Sequence, residues 1–128
     1  MLMSKILVLS SLAAVLMAAT PAFADGDAAA GEKVFIKCKA CHENEQGVNK
    51  IGPTLKGIVG RKGASVEGYA YSDGAKAKSA EGLVWDEATL TAYLPDPKAY
   101  VPGTKMAFAG LKNPQEVADV IAYLKTKP

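Results

Sequence analysis

The residues that most restrict this chain lie within five positions, Cys38-Lys39-Ala40-Cys41-His42. Both cysteines and the one histidine of the 128-residue sequence fall in that run. Of the four methionines, Met1, Met3 and Met17 sit in an apolar N-terminal stretch, which leaves Met106 alone in the rest of the chain. Two thiols, one imidazole and one thioether are therefore the whole stock of soft or borderline metal ligands.

The N-terminal stretch has its own reading. Lys5 supplies a positive start, Ile6 to Met17 is apolar apart from Ser10 and Ser11, and Pro21 precedes Ala22-Phe23-Ala24, a small-x-small cleavage pattern. The apolar run is shorter than the ~20 residues of a membrane span. Residues 1–24 are thus expected to be a cleaved secretory signal and 25–128 one domain, exported to a bacterial periplasm. Retention of the signal as an uncleaved anchor is the alternative.

A domain of that length buries only about two-thirds of its unfolded surface, so its own core is modest and an apolar cofactor would enlarge it. Runs of Val, Ile and Thr are scarce while Ala, Lys, Gly and Pro abound, which favours short helices joined by long loops. Without Lys5 the chain has 14 basic and 13 acidic residues. So even a balance gives no case for nucleic acid, and any steering must come from where the charges lie.

On a helical turn, residues three apart share a face, so Cys38 and Cys41 can act on one object while His42 follows directly above it. Cys-x-x-Cys-His is read on that ground as a covalent attachment site for haem c. Two other readings compete. A redox-active disulfide needs a strand–helix surround, whereas this motif ends an Ala- and Lys-rich helical stretch. A zinc site needs a fourth Cys or His, which the chain lacks. A lone methionine is usually core packing. Met106 instead follows the turn residues Val101-Pro102-Gly103-Thr104-Lys105 and lies on no helical stripe, so an axial thioether fits better.

Helix signals are clearest at the end of the chain. Asn113 is placed to cap, Pro114 suits the first helical position, and Glu116 completes a capping-box-like pattern. Val117, Val120, Ile121 and Leu124 recur at helical spacing and mark a buried face. A first helix is expected from near Asp27 to Lys39 with Val34 and Phe35 inward, and another from Asp86 to before Pro95. The Gly- and Pro-rich segment 47–68 lacks the alternation of a sheet.

Taken together, the motifs resemble the class I cytochromes c, the cytochrome c2 and mitochondrial-type group, over essentially all of 25–128. The resemblance rests on Cys38-Lys39-Ala40-Cys41-His42, Ile51-Gly52-Pro53-Thr54-Leu55-Lys56-Gly57, Gly60-Arg61-Lys62 and Gly68-Tyr69-Ala70-Tyr71-Ser72. Trp85, Tyr93-Leu94-Pro95-Asp96-Pro97-Lys98 and Pro102-Gly103-Thr104-Lys105-Met106-Ala107-Phe108-Ala109-Gly110 continue it. It implies an all-α fold with crossed N- and C-terminal helices meeting at Gly31, Phe35, Val120 and Tyr123, wrapped with short helices and long loops around one haem. It further implies His42 as proximal ligand, the Pro53 carbonyl on its free ring N–H, Met106 as distal ligand and the Tyr93 hydroxyl near the sulfur. Arg61, Tyr71 and Trp85 match residues around the haem propionates. Relatives of mitochondrial type carry an Asn where this chain has Ala75, and some use a second His after the motif that is missing here.

The function implied is single-electron transport, because two axial protein ligands leave iron no open position for substrate, and Met/His ligation raises the potential. The donor expected is a membrane quinol–cytochrome c reductase, the acceptor an oxidase, a photosynthetic reaction centre or another periplasmic reductase, and the carrier a monomer. Lys37, Lys39, Lys50, Lys98, Lys105 and Lys112 are expected to surround the haem edge and steer it to acidic partners. A labile Met106 would instead open the iron to peroxidase or gas-ligand chemistry.

Overall fold

A computed structural model describes residues 25–128. The expected secretory signal, residues 1–24, lies outside the described residues. Five helices and no strands occur among them: α1 Ala28–Phe35, α2 Asp73–Ala80, α3 Glu87–Tyr93, α4 Pro97–Tyr100 and α5 Pro114–Lys125. One isolated antiparallel bridge joins Lys62 to Val84. The all-α expectation is met.

The two terminal helices cross and supply most of the core. Asp27 caps α1 by accepting from Ala29 N and Ala30 N. Val34 and Phe35 on α1 and Val117, Val120, Ile121, Tyr123 and Leu124 on α5 are buried. Each such side chain contributes about 1.5–3 kcal/mol by leaving water. The Phe35 and Tyr123 rings meet with centroids 5.3 Å apart. Gly31 makes the crossing possible: a Cβ there would stand 1.9 Å from the Asp119 carbonyl oxygen. Asp119, buried on α5, locks the same corner by accepting from Asp27 N at 2.8 Å and from Gln115 Nε2 at 2.8 Å.

Two expectations need correction. The first helix ends at Phe35, not Lys39. From Ile36 to Lys39 each N–H reaches the carbonyl three residues back, so the chain tightens before the cysteines. At α5, Asn113 caps by accepting from Gln115 N and Pro114 opens the helix, but the Glu116 carboxylate is not folded back on the cap. It accepts from Lys37 Nζ on α1 instead, at 3.2 Å. α3 is bounded as expected, with Asp86 accepting from Thr89 N at its start and Leu94 at its end.

Candidate functional site

The attachment motif forms one closed turn. His42 N donates to Cys38 O at 2.9 Å and Cys41 N to the same oxygen at 3.1 Å, so His42 follows one turn after Cys38. The cysteines are free thiols. Burial pushes the Cys38 thiol above its ordinary pKa, although the neighbouring Lys37 charge works the other way. A redox disulfide motif needs a thiolate of lowered pKa, so this environment does not suit one. Among the described residues no group of three His, Cys, Asp or Glu could hold a metal by itself, and the zinc reading falls with it.

His42 is oriented from behind. Its Nδ1 lies 2.7 Å from the Pro53 carbonyl oxygen. A carbonyl only accepts, so Nδ1 carries the proton and the Nε2 lone pair is free to ligate. Burial lowers the His42 pKa, the Pro53 bond opposing it and the Lys50 charge adding to it, so the ring is neutral near pH 7. Gly52 leaves the ring its room. On the other loop, the Tyr93 hydroxyl donates to Met106 Sδ at 3.3 Å. Burial pushes the Tyr93 phenol up to about 12, which keeps it a donor. The Trp85 ring packs on Tyr93 at 4.6 Å.

Cys38, Leu55, Val59, Trp85, Leu94 and Phe108 are partly buried side chains packed against the outside of the core cluster. Two thiols within one turn, a neutral imidazole with its Nε2 available and a thioether form a donor set that fits haem c and no simple ion.

Arg61, Tyr71 and Trp85, the residues expected around the propionates, make the following contacts. Arg61 sits beside Trp85, since Gly60 N donates to Trp85 O and Trp85 N to Arg61 O, both at 2.8 Å. Its guanidinium donates to the Thr54 carbonyl at 2.7 Å and also to that of Lys56. The Tyr71 hydroxyl accepts from Val66 N at 3.0 Å. Of the six lysines, Lys39 and Lys50 are brought together, Lys50 Nζ donating to the Lys39 carbonyl at 2.8 Å. Lys105 reaches Ala70 O, and Lys112 reaches Pro95 O and Ala109 O. Lys98 is exposed on α4, and Lys37 pairs with Glu116.

Sequence reasoning passed over Glu43. Its carboxylate accepts from Glu45 N at 2.9 Å, Gln46 N at 2.7 Å, Val48 N at 2.7 Å and the Thr54 hydroxyl. The available signal was its place at the head of Glu43-Asn44-Glu45-Gln46-Gly47, a polar turn ending in glycine.

A family model for cytochrome c matches residues 28–127. The chain belongs to the cytochrome c family. Cytochrome c2 iso-2 of Magnetospirillum fulvum is 59% identical over 92 residues, spanning 72% of this chain and 93% of that protein. Cytochrome c2 of Rhodomicrobium vannielii is 48% identical over 124 residues, 96% of this chain and 97% of the relative. Among solved structures, cytochrome cH from Methylobacterium extorquens aligns with a TM-score of 0.73 and 57% identity, covering 80% of this chain and all (100%) of that one. Cytochrome c2 from Rhodospirillum centenum aligns with a TM-score of 0.76 and 38% identity, over 80% and 98% of the two chains. As a cytochrome c of the c2 group, this chain is a haem c electron carrier with one covalently held haem.

Proposed function

We propose that the chain is a periplasmic carrier of single electrons, with His42 and Met106 as the axial ligands and Cys38 and Cys41 as the thioether attachment points. The observation that carries this reading is the pair of supporting bonds, Pro53 O on His42 Nδ1 and Tyr93 Oη on Met106 Sδ. Each leaves a ligand lone pair free and fixes the side chain that bears it. When bound, haem c supplies the Fe(II)/Fe(III) couple. The chain holds the ligands, excludes water through Leu55, Trp85, Leu94 and Phe108, and keeps His42 neutral and Tyr93 protonated. Because the attachment turn and both supporting bonds belong to packed loops, little needs to move between oxidation states.

Export after cleavage at residue 24 places the carrier between a membrane quinol–cytochrome c reductase and an acceptor that is an oxidase, a photosynthetic reaction centre or another periplasmic reductase. It works as a monomer, with its lysines turned to acidic rims. The visible spectrum of protein matured in a periplasm tests the ligands. A low-spin ferric form with a weak far-red sulfur–iron band, and a sharp α band after dithionite, is expected. A high-spin spectrum would overturn the Met106 assignment and open the iron to peroxidase chemistry.

A further inference from the structure

The bond between His42 and Pro53 is one rung of a short ladder. On one side Gly52 N donates to Cys41 O at 2.8 Å, and on the other Leu55 N donates to Glu43 O at 2.8 Å. The Glu43 carboxylate closes the ladder from within. Its Oε2 accepts from the N–H groups of Glu45 and Gln46, and its Oε1 accepts from Val48 N and from the hydroxyl of Thr54, the residue next to Pro53. Thr54 is buried and held by further bonds: its N–H donates to Asn49 Oδ1 at 3.0 Å, its carbonyl accepts from Arg61 Nη1, and its hydroxyl oxygen accepts from Lys56 N at 3.1 Å while the hydroxyl also lies 3.3 Å from the Glu43 carbonyl. The neighbour of the proximal histidine thus grips the neighbour of the carbonyl that orients it.

We propose that Glu43 is a positioning residue that sets the reduction potential by holding the Pro53 carbonyl on His42 Nδ1. The proposal rests on His42 being the proximal ligand. A carbonyl drawing on the Nδ1 proton makes Nε2 a stronger donor, and a stronger donor favours ferric iron. Slackening the Glu43–Thr54 grip weakens that pull and raises the potential. The negative charge of Glu43 acts with the same sign, so the test must separate geometry from charge.

Thr54→Val cuts the grip without changing any charge, Thr54→Ser keeps the hydroxyl, and Glu43→Gln removes the charge as well. In the holoprotein, Thr54→Val and Glu43→Gln are each expected to favour the ferrous form by about two- to tenfold in the reduction equilibrium, the worth of one hydrogen bond. The His42 Nδ1–H proton resonance of the reduced protein should move upfield in both, and Thr54→Ser should restore potential and resonance. If Thr54→Val changes neither while Glu43→Gln raises the potential, Glu43 acts through its charge alone and the proposal is overturned. If no variant moves either quantity, it is overturned too. The spectrum of the unsubstituted holoprotein reports the ligands independently, so failure of the His42/Met106 reading is seen before any variant is compared.

Discussion

Gly52 lies flat against the imidazole of His42: a Cβ built on it would stand 2.3 Å from Cε1, 2.7 Å from Nδ1 and 2.9 Å from Nε2. The glycine is required by space rather than by an unusual backbone angle, since its φ is not among the positive ones. Gly52→Ala therefore has to push the ring away from the Pro53 carbonyl or spread the two loops. Overpacking of this kind costs about 1–3 kcal/mol. Denaturant unfolding of the holoprotein should show a loss in that range, and the ferric spectrum should gain a high-spin component. An alanine protein with unchanged spectrum and midpoint would mean that the loops yield freely, and the ring is not held as described.

Gly31→Ala offers a test of the helix crossing in which the usual expectation reverses sign. In an ordinary helix interior, alanine is worth roughly 0.5–1 kcal/mol over glycine. Here the added carbon would meet the Asp119 carbonyl at 1.9 Å and Tyr123 Cβ at 2.8 Å, and neither is the far end of a flexible side chain. The contact sits among Phe35, Val120 and Tyr123, so separating the helices opens the core. A net destabilisation of about 1–3 kcal/mol is expected from chemical denaturation. Stabilisation would show that the crossing is looser than the packing implies.

These two glycines also show what the chain discloses by pattern and what it conceals. Val117, Val120, Ile121 and Leu124 announce α5 because an apolar stripe at helical spacing has few other uses. α2, in contrast, buries none of its side chains and so carries no stripe. It is held by the Ser72 cap, with Ser72 Oγ accepting from Ala75 N at 3.1 Å, a local signal without periodicity. The site divides in the same way. Cys38, Cys41, His42 and Met106, the proposed attachment and ligand residues, stand out because those residue types are rare beyond the N-terminal stretch. Glu43 and Thr54 are common types whose importance arises only when the chain turns back over eleven residues and lays one beside the other. The turn of Glu116 to Lys37 rather than to its own cap is another such case, since no local pattern encodes what the neighbouring helix offers.

Acid should loosen the proximal loop before the rest. The Thr54 hydroxyl, followed by the N–H groups of Gln46, Glu45 and Val48, holds the Glu43 pKa at about 2, below its ordinary 4.5. A carboxylate depressed in the folded state stabilises above its unfolded pKa, and that contribution drains away as pH falls through the folded value. The window here runs from about 4.5 down to about 2. Carboxyl NMR titration should place the Glu43 midpoint near the lower end. Amide exchange of Glu45, Gln46 and Val48 should accelerate across the window, and Glu43→Gln should remove that pH dependence. A midpoint near 4.5 would show that the carboxylate is not gripped in solution.

Electrostatic steering can be tested by subtraction and by addition. Lys98 is exposed on α4 with no carboxylate within ion-pair distance among the described residues, whereas Lys37 has Glu116 at 3.2 Å. The field reaching an approaching partner is the sum of all charges, so Glu116 offsets Lys37 at long range without silencing it. Lys98→Gln should therefore slow association with an acidic redox partner, and Glu116→Gln should speed it. One unit charge about 10 Å away in water is worth ~0.4 kcal/mol, or roughly twofold in rate at low salt. Both effects should fade as ionic strength shortens the screening length. Breaking an exposed pair costs little in stability, about 0–1 kcal/mol, so the two variants should melt close to the parent. Stopped-flow rates with a quinol–cytochrome c reductase over a salt series supply the measurement. If Glu116→Gln left the low-salt rate unchanged while Lys98→Gln lowered it, the partner would approach from the α4 side, away from the α1–α5 corner where Lys37 meets Glu116. Equal and opposite changes would place both residues within reach of one docking face.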